Sequence, residues 1–216
     1  MLNYLEDRFF MFTPLLSRVD LREFSTDWFN LGGFEKLQPY YVHYQDAYLQ
    51  RDQIPNFLRG FFNTLAAISD PQTLTFQEEL DFGGGQPHKT HEEGWFFHQL
   101  RRMLVMEMGN DLFLARGTPR AWLEGGKKIG VTRAPSYFGE LSYQIESFAG
   151  QDHIEATVHP PNSQPPANLY LRLRHPRQAP MMKVSVNGRP WNNFDAVKEW
   201  ITLPAGGGEL KIVAQY

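Results

Sequence analysis

The chain has 216 residues, of which 42% are hydrophobic and 14% aromatic, and it contains no cysteine. Disulfide frameworks, thiolate zinc sites and cysteine nucleophiles are therefore excluded, while the length is sufficient for one large or two small buried cores. The formal net charge is −3, which gives no electrostatic reason to expect binding to nucleic acid or to an anionic membrane. We therefore expect an uncharged partner.

The first third of the chain carries helical patterns. Apolar residues recur at intervals of three and four over residues 2–16, which predicts a first helix. Pro39 can open a second helix, and Asp52 can cap a third that has Pro55 in its first turn. Two consecutive helices joined by a few residues predict a helical hairpin that needs further neighbours to cover its apolar faces.

The segment from His88 to Ile129 marks a change of architecture. Thr90 and Glu93 have the spacing of a capping box, and the helix that follows is expected to run to about Met108 and to end at Gly109. Beyond this segment the period of apolar residues becomes two, and about seven short strands are expected. The dipeptide Asn187-Gly188 predicts a tight hairpin between two of these strands.

These patterns predict an α+β fold with two domains. Residues 1–125 are expected to form an N-terminal α-helical array, and residues 126–216 a C-terminal antiparallel β-sandwich. The first twelve residues place Glu6, Asp7 and Arg8 inside an apolar run, which is unlike a secretion signal. No stretch is long and apolar enough to cross a bilayer, so a soluble protein of unknown location is expected.

Several segments carry a family resemblance: TFQEEL, HKTHEEGWFFHQLRRMLVME, LARGTPRAWLEGGKKI and PSYFGELSYQIES. They resemble the C-terminal part of bacterial six-hairpin glycosidases, and the run from LYLRLRHP to EWITLP resembles the sandwich behind their (α/α)6 barrel. The resemblance implies that the N-terminal α-helical array is a partial α/α toroid, and it implies a glycoside hydrolase with a carbohydrate partner and no cofactor. A barrel of twelve helices needs well over the roughly 125 residues ahead of the sandwich, so we expect a fragment, or a reduced form that completes its helical layer as a homo-oligomer.

Glycoside hydrolysis uses a pair of carboxyl groups that flank the scissile bond. The candidate catalytic residues are Glu78, Glu79 and Glu92. Simpler explanations stay open for each of them, because Glu78 and Glu79 also fit a solvated acidic turn, and Glu92 would be stabilised by the positive first turn of a helix. Glu93 is already explained by the predicted capping box.

Aromatic and imidazole side chains are the candidates for sugar binding. These residues are Trp95, His88, His91, Tyr41 and Trp28. Two of them, His88 and His91, could join a carboxylate around zinc, but the spacing matches no strong ligand pattern and we predict no metal site. A second function stays open at this point, namely a non-catalytic carbohydrate-binding or structural module.

Overall fold

The computed structural model describes residues 44–70, 72–76 and 88–216. The chain divides into two compact units, residues 1–100 and 101–216. We call them the helical unit and the sandwich unit. The sequence places the domain boundary at residue 125, and those domain bounds stay a prediction, although strands of the sandwich unit already begin at Val105.

The helical unit is built on a pair of consecutive helices. Its described elements are α1 (Tyr44–Gln50), α2 (Ile54–Ile68), β1 (Ser69–Asp70), β2 (Thr75–Phe76) and the larger part of α3 (Thr90–Leu104). Gln45 at the start of α1 donates from Nε2 to Thr64 Oγ1 near the end of α2, at 3.2 Å, so the two helices run antiparallel as the sequence predicts. No helix in the described part of the chain is long and apolar enough to span a membrane.

The helix starts differ from those predicted by one residue. Gln53, not Asp52, is the N-cap of α2, with Pro55 in the first turn. Asp52 adopts a left-handed backbone with φ 61° just after α1, a conformation that cannot serve as a cap. Thr90 likewise lies inside α3, because the backbone bond that opens this helix ends on the Lys89 carbonyl.

The predicted fold class is wrong. The described residues contain three α-helices and thirteen strands, so this part of the chain is mostly β-sheet. No N-terminal α-helical array and no (α/α)6 barrel is evident in it, which removes the six-hairpin resemblance as an account of the fold. The helical period reports local amphipathicity alone, and the hairpin of β1 and β2 separates α2 from α3. The helix predicted over 2–16 lies outside the described residues.

Helix α3 ends earlier than expected because the chain turns directly into a strand. The residues after Leu104 form β3 (Val105–Met108), which pairs antiparallel with β4 (Asp111–Leu114). Gly109 has φ 60° and lies in the turn between these strands, so it does not terminate the helix. Arg101 holds the junction by donating to the Val105 carbonyl at 3.1 Å and to both carboxylate oxygens of Glu107 at 2.7 Å.

Nine further strands complete the sandwich unit, with short 3₁₀ helices at Arg120–Leu123 and Ala149–Gln151 between elements. They are β5 (Lys128–Ser136), β6 (Gly139–Phe148), β7 (His153–His159), β8 (Asn168–Arg172), β9 (Lys183–Val186), β10 (Arg189–Pro190), β11 (Phe194–Asp195), β12 (Trp200–Leu203) and β13 (Leu210–Gln215). One sheet has the order β10-β9-β13-β7-β6-β5, and the other β11-β12-β8-β4-β3. Buried residues of both sheets form a single hydrophobic core, which makes a β-sandwich.

Alternation places one side of each strand in this core. Ile154, Ala156 and Val158 of β7 are buried while Glu155 is exposed, as the period of two predicts. The predicted hairpin at Asn187-Gly188 is also confirmed, since φ is 50° and 74° at these positions and β9 pairs with β10. The sandwich is not wholly antiparallel, because β4 and β8 pair in parallel; the long connection between them passes through the other sheet.

Candidate carboxylate site of the helical unit

Helix α3 buries polar side chains where an amphipathic helix would bury apolar ones. Glu92 and Gln99 are both fully buried, at 0% exposure. They lie seven residues apart, which is close to two helical turns, so they share one face of the helix. Leu100 of the same helix is only half-buried. Burying a carboxylate or an amide costs free energy unless the group has partners, so the contacts of this face decide what it can do.

The buried Glu92 carboxylate lies at the end of a directed chain of hydrogen bonds. Trp95 donates from its indole Nε1 to Nε2 of His91 at 3.1 Å. An indole nitrogen can only donate, so Nε2 accepts and the proton of a neutral His91 ring lies on Nδ1. Nδ1 lies 3.1 Å from Glu92 Oε1. The geometry thus presents Glu92 as a hydrogen-bond acceptor in a fixed orientation.

A second carboxylate, Asp46 of α1, lies in the same unit. Its Oδ2 is 3.3 Å from Nε2 of His98, one helical turn beyond Trp95. The rings of Trp95 and His98 meet edge to face, with centroids 4.9 Å apart and an interplanar angle of 77°. An imidazole–indole–imidazole row therefore connects the two carboxylates. We call the five residues Asp46, His91, Glu92, Trp95 and His98 the carboxylate site.

The carboxylate site is buried on one side and open on the other. Asp46 and Glu92 are buried, whereas the side chains of His91 and His98 are 37% and 43% exposed. Trp95 is half-buried. A ligand can thus reach the ring edges from solvent while the carboxylates remain behind them, and Glu92 lies in the positive first turn of α3, which favours an anionic group there.

Two buried amides add hydrogen-bonding capacity to the helical unit. Neither amide atom of Gln99 has a hydrogen-bond partner among the described residues, and the same holds for Oε1 of Gln45. An unsatisfied buried amide costs about 1–3 kcal/mol. Polar groups kept at that cost are commonly used for recognition or chemistry.

The structure brings together three of the residues that the sequence proposes. Glu92, His91 and Trp95 belong to one connected cluster, whereas His88 is exposed ahead of α3. Four other candidates, Glu78, Glu79, Tyr41 and Trp28, lie outside the described residues. The assigned roles of all these residues stay predictions.

The sequence interpretation misses Asp46. Its signal is weak: the pair Gln45-Asp46 stands among residues of which Tyr48 and Leu49 are buried, on a helix of only seven residues. A carboxylate on the buried side of a short helix next to aromatic residues is the pattern that would have pointed to it. Across residues 44–70, 72–76 and 88–216, no three His, Asp or Glu side chains converge to form a possible metal site.

A separate charged cluster lies inside the sandwich unit and has a structural explanation. Arg120 donates to both oxygens of Glu199, at 2.6 and 2.9 Å, and Arg174 donates to the Thr118 carbonyl at 2.9 Å. Burial, together with the charges of Arg120 and Arg172, lowers the pKa of Arg174 to about 10. The shared carboxylate and main-chain acceptors compensate these charges, so the cluster is a structural ion-pair network.

Comparisons with known proteins do not identify a family for this chain. No family model matches the chain, and no curated protein matches it. Thirteen solved chains match in structure; one of them, titled "Glycoside hydrolase", is 11% identical, with a TM-score of 0.36 over 74% of this chain and 28% of that one. This chain thus spans little more than a quarter of that protein, and a likeness of this size carries no functional argument.

Proposed function

We propose that the chain is part of a carbohydrate-active protein that hydrolyses glycosidic bonds, with Glu92 as one of the two essential carboxyl groups. The observation that carries the proposal is the complete burial of Glu92 next to the part-exposed row of His91, Trp95 and His98. Aromatic side chains beside carboxyl groups suit a sugar. The C–H faces of a sugar pack on aromatic rings, and its hydroxyl groups form hydrogen bonds with imidazole and amide groups.

The reaction assigns a different task to each carboxyl group. One donates a proton to the glycosidic oxygen as the bond from that oxygen to the anomeric carbon breaks, and a water molecule supplies the hydroxyl that ends on the anomeric carbon. The other carboxylate accepts the proton of that water or attacks the anomeric carbon first. We assign Glu92 the acceptance of the water's proton rather than a direct attack on the sugar, because its carboxylate is fully buried behind the rings and His91 holds one of its oxygens as an acceptor.

The proton donor is a separate carboxyl group. Asp46 is the described candidate, since it is buried and contacts the same aromatic row through His98. Glu78 and Glu79 are the candidates that the sequence predicts outside the described residues. A predicted homo-oligomer is also part of this proposal, because a second copy can close a cleft around a substrate.

The test is the Glu92→Gln variant assayed on a panel of aryl glycosides. Size-exclusion chromatography with light scattering first defines the species that is assayed. Gln keeps an oxygen that accepts from His91 but cannot act as base or nucleophile, so we expect turnover to fall at least about a hundredfold while folding is retained. Glu93→Gln, the neighbouring substitution of the same chemistry, is the control and should leave turnover unchanged.

The proton donor can be identified by comparing substrates with different leaving groups. Asp46→Asn, Glu78→Gln and Glu79→Gln are compared on nitrophenyl and dinitrophenyl glycosides. The variant that lacks the donor should lose most activity on the poorer leaving group and retain it on the dinitrophenyl substrate, which departs without protonation. Full activity of Glu92→Gln on both substrates, or no hydrolysis of the panel by the native chain, would contradict the proposal.

A further inference from the structure

The outward face of the six-stranded sheet carries two adjoining depressions. The first, of about 700 Å³, lies over β5, β6 and β7 and is lined by Lys128, Gly130, Gln144, Glu146, Glu155 and Thr157 among others. The second, of about 320 Å³, lies over β13, β9 and β10 and includes Lys183, Ser185, Trp191 and Asn192. Both belong to the sandwich unit; their strand residues such as Gln144, Thr157 and Ser185 lie on the face opposite its hydrophobic core, whereas Trp191 also packs against that core.

The two depressions lie side by side across the strands. Glu155 lines the first and Val213 the second, and these residues are partners on the paired strands β7 and β13. Six strands span five inter-strand spacings, or roughly 24 Å. That length accommodates a chain of several linked units. We call the two neighbouring depressions together the outer groove.

The charges of the outer groove cancel. Lys128 and Glu146 form an ion pair at 2.9 Å, and Lys183 offsets Glu155 in the remaining lining. A groove with balanced lysines and glutamates has no net attraction for a polyanion or a polycation. The neutral amide and hydroxyl groups of Gln144 and Thr157 supply further donors and acceptors between the charged pairs.

The floor and one end of the outer groove are shaped by two particular residues. Gly130 leaves the floor bare, and any Cβ there would collide with the Tyr143 carbonyl. At the other end, Trp191 donates from Nε1 to the Thr202 carbonyl at 2.9 Å, which fixes the orientation of its half-buried ring. An oriented indole next to polar groups suits a ligand that has both C–H faces and hydroxyls.

We propose that the outer groove binds a linear, uncharged oligosaccharide that lies across the strands. Balanced charge selects a neutral ligand, alternating donors and acceptors match hydroxyls, and the ring of Trp191 receives one sugar face. The proposal deepens the proposed function, because it gives a holding site for the same class of substrate. It does not require hydrolysis, so the two proposals can fail separately.

The experiment is calorimetric titration of the full chain with hexasaccharides of glucose, xylose and mannose, and of galacturonic acid as the anionic comparison. We expect at least one neutral hexasaccharide to bind with a Kd below about 1 mM and to bind more tightly than the anionic one. The double variant Gln144→Ala/Thr157→Val removes two hydrogen-bonding groups, and its binding should weaken roughly tenfold. Gln164→Ala, an exposed glutamine of the same unit outside the groove, is the matched control.

Each outcome decides between the two proposals. Binding that survives in Glu92→Gln but weakens in the groove variant supports the outer groove as a separate binding surface. Three results would overturn the proposed binding to the outer groove. They are no binding of any neutral hexasaccharide, tighter binding of the galacturonic acid hexasaccharide, and unchanged affinity in the groove variant. Hydrolysis of small aryl glycosides by the groove variant, at the native rate, would leave the catalytic proposal intact in all of these cases.

Discussion

The helical unit and the sandwich unit both bury apolar residues, but they differ in where they bury polar side chains. In the sandwich unit, strand alternation fills the core with Leu112, Leu171, Ile145 and their apolar neighbours. In the helical unit, Phe57 and Phe61 are buried too, but α3 also buries Glu92 and Gln99. The buried polar face of α3 is the feature on which our proposed carboxylate site depends.

The turn from the end of α3 into β3 is held by a compensated ion pair within the sandwich unit. Arg101 forms a bidentate pair with Glu107, and the Arg101 hydrogen bonds and charge hold the pKa of Glu107 below its usual range although burial alone would raise it. Polar groups in this part of the sandwich unit are thus fully compensated. Compensation separates them from the amide of Gln99, which has no hydrogen-bond partner among the described residues.

The largest expected effect is a loss of stability when the apolar core of the sandwich unit is disrupted. Leu171 is fully buried in β8, so Leu171→Ala should lower the free energy of unfolding by about 2–5 kcal/mol through lost burial and the cavity left behind. Denaturant unfolding measures the change. Val197→Ala, at a position 92% exposed in the same unit, should change it by less than about 0.5 kcal/mol; equal effects at the two positions would refute an apolar core that carries the stability.

A smaller effect of opposite sign is expected on the helical side. Gln99→Leu removes a buried amide that has no hydrogen-bond partner in the described part of the chain, and it should raise the free energy of unfolding by about 1–3 kcal/mol. Turnover of glycosides should fall in the same variant if the amide serves the carboxylate site. Gln164→Leu, at an exposed position, is the control for the change of residue type. A loss of stability in Gln99→Leu would show that this amide is structural.

The smallest effect is a pH dependence that belongs to the sandwich unit. Burial, followed by the charge of Arg177, lowers the pKa of His175 below 6.5, and Nδ1 of its ring accepts from the backbone amides of Arg177 and Ala179. The unfolded chain therefore binds this proton at higher pH than the folded one, and stability is lost as pH falls below about 6.5.

The thermal midpoint measured between pH 7 and pH 5 tests this account of His175. The native chain should lose more of its midpoint on acidification than His175→Asn, whose amide oxygen can accept the same bonds but does not titrate. His159→Asn is the control. The His159 side chain is 55% exposed, and it forms an ion pair with Glu209 at 3.6 Å on the surface. Identical pH profiles for the native chain and His175→Asn would disprove the role of His175.

Local signals in the sequence predict the parts of the fold that depend on neighbours in the chain. The Asn187-Gly188 hairpin, the alternation of β7 and the existence of α3 are of this kind. The end of α3 at Leu104 was not predicted, because the pairing of β3 with β4 decides it. The parallel pairing of β4 with β8 depends on residues far apart in the chain, and local periodicity carries no information about it.

The site shows the same limit. Glu92, His91 and Trp95 lie within five residues of one another, so one helical turn brings them together and the sequence could propose them. Asp46 approaches the same aromatic row from α1 through His98, and no spacing rule connects residues so far apart. The family resemblance failed for a related reason, since similar local motifs do not require the same arrangement of helices.

The most direct test of the difference between the units is to measure turnover and unfolding free energy together for Glu92→Gln. Our account predicts that turnover falls at least about a hundredfold, while the free energy of unfolding is unchanged or higher, because the uncharged amide costs less to bury and still accepts from His91. A variant that keeps its turnover but loses stability would contradict this account and would make Glu92 a structural residue.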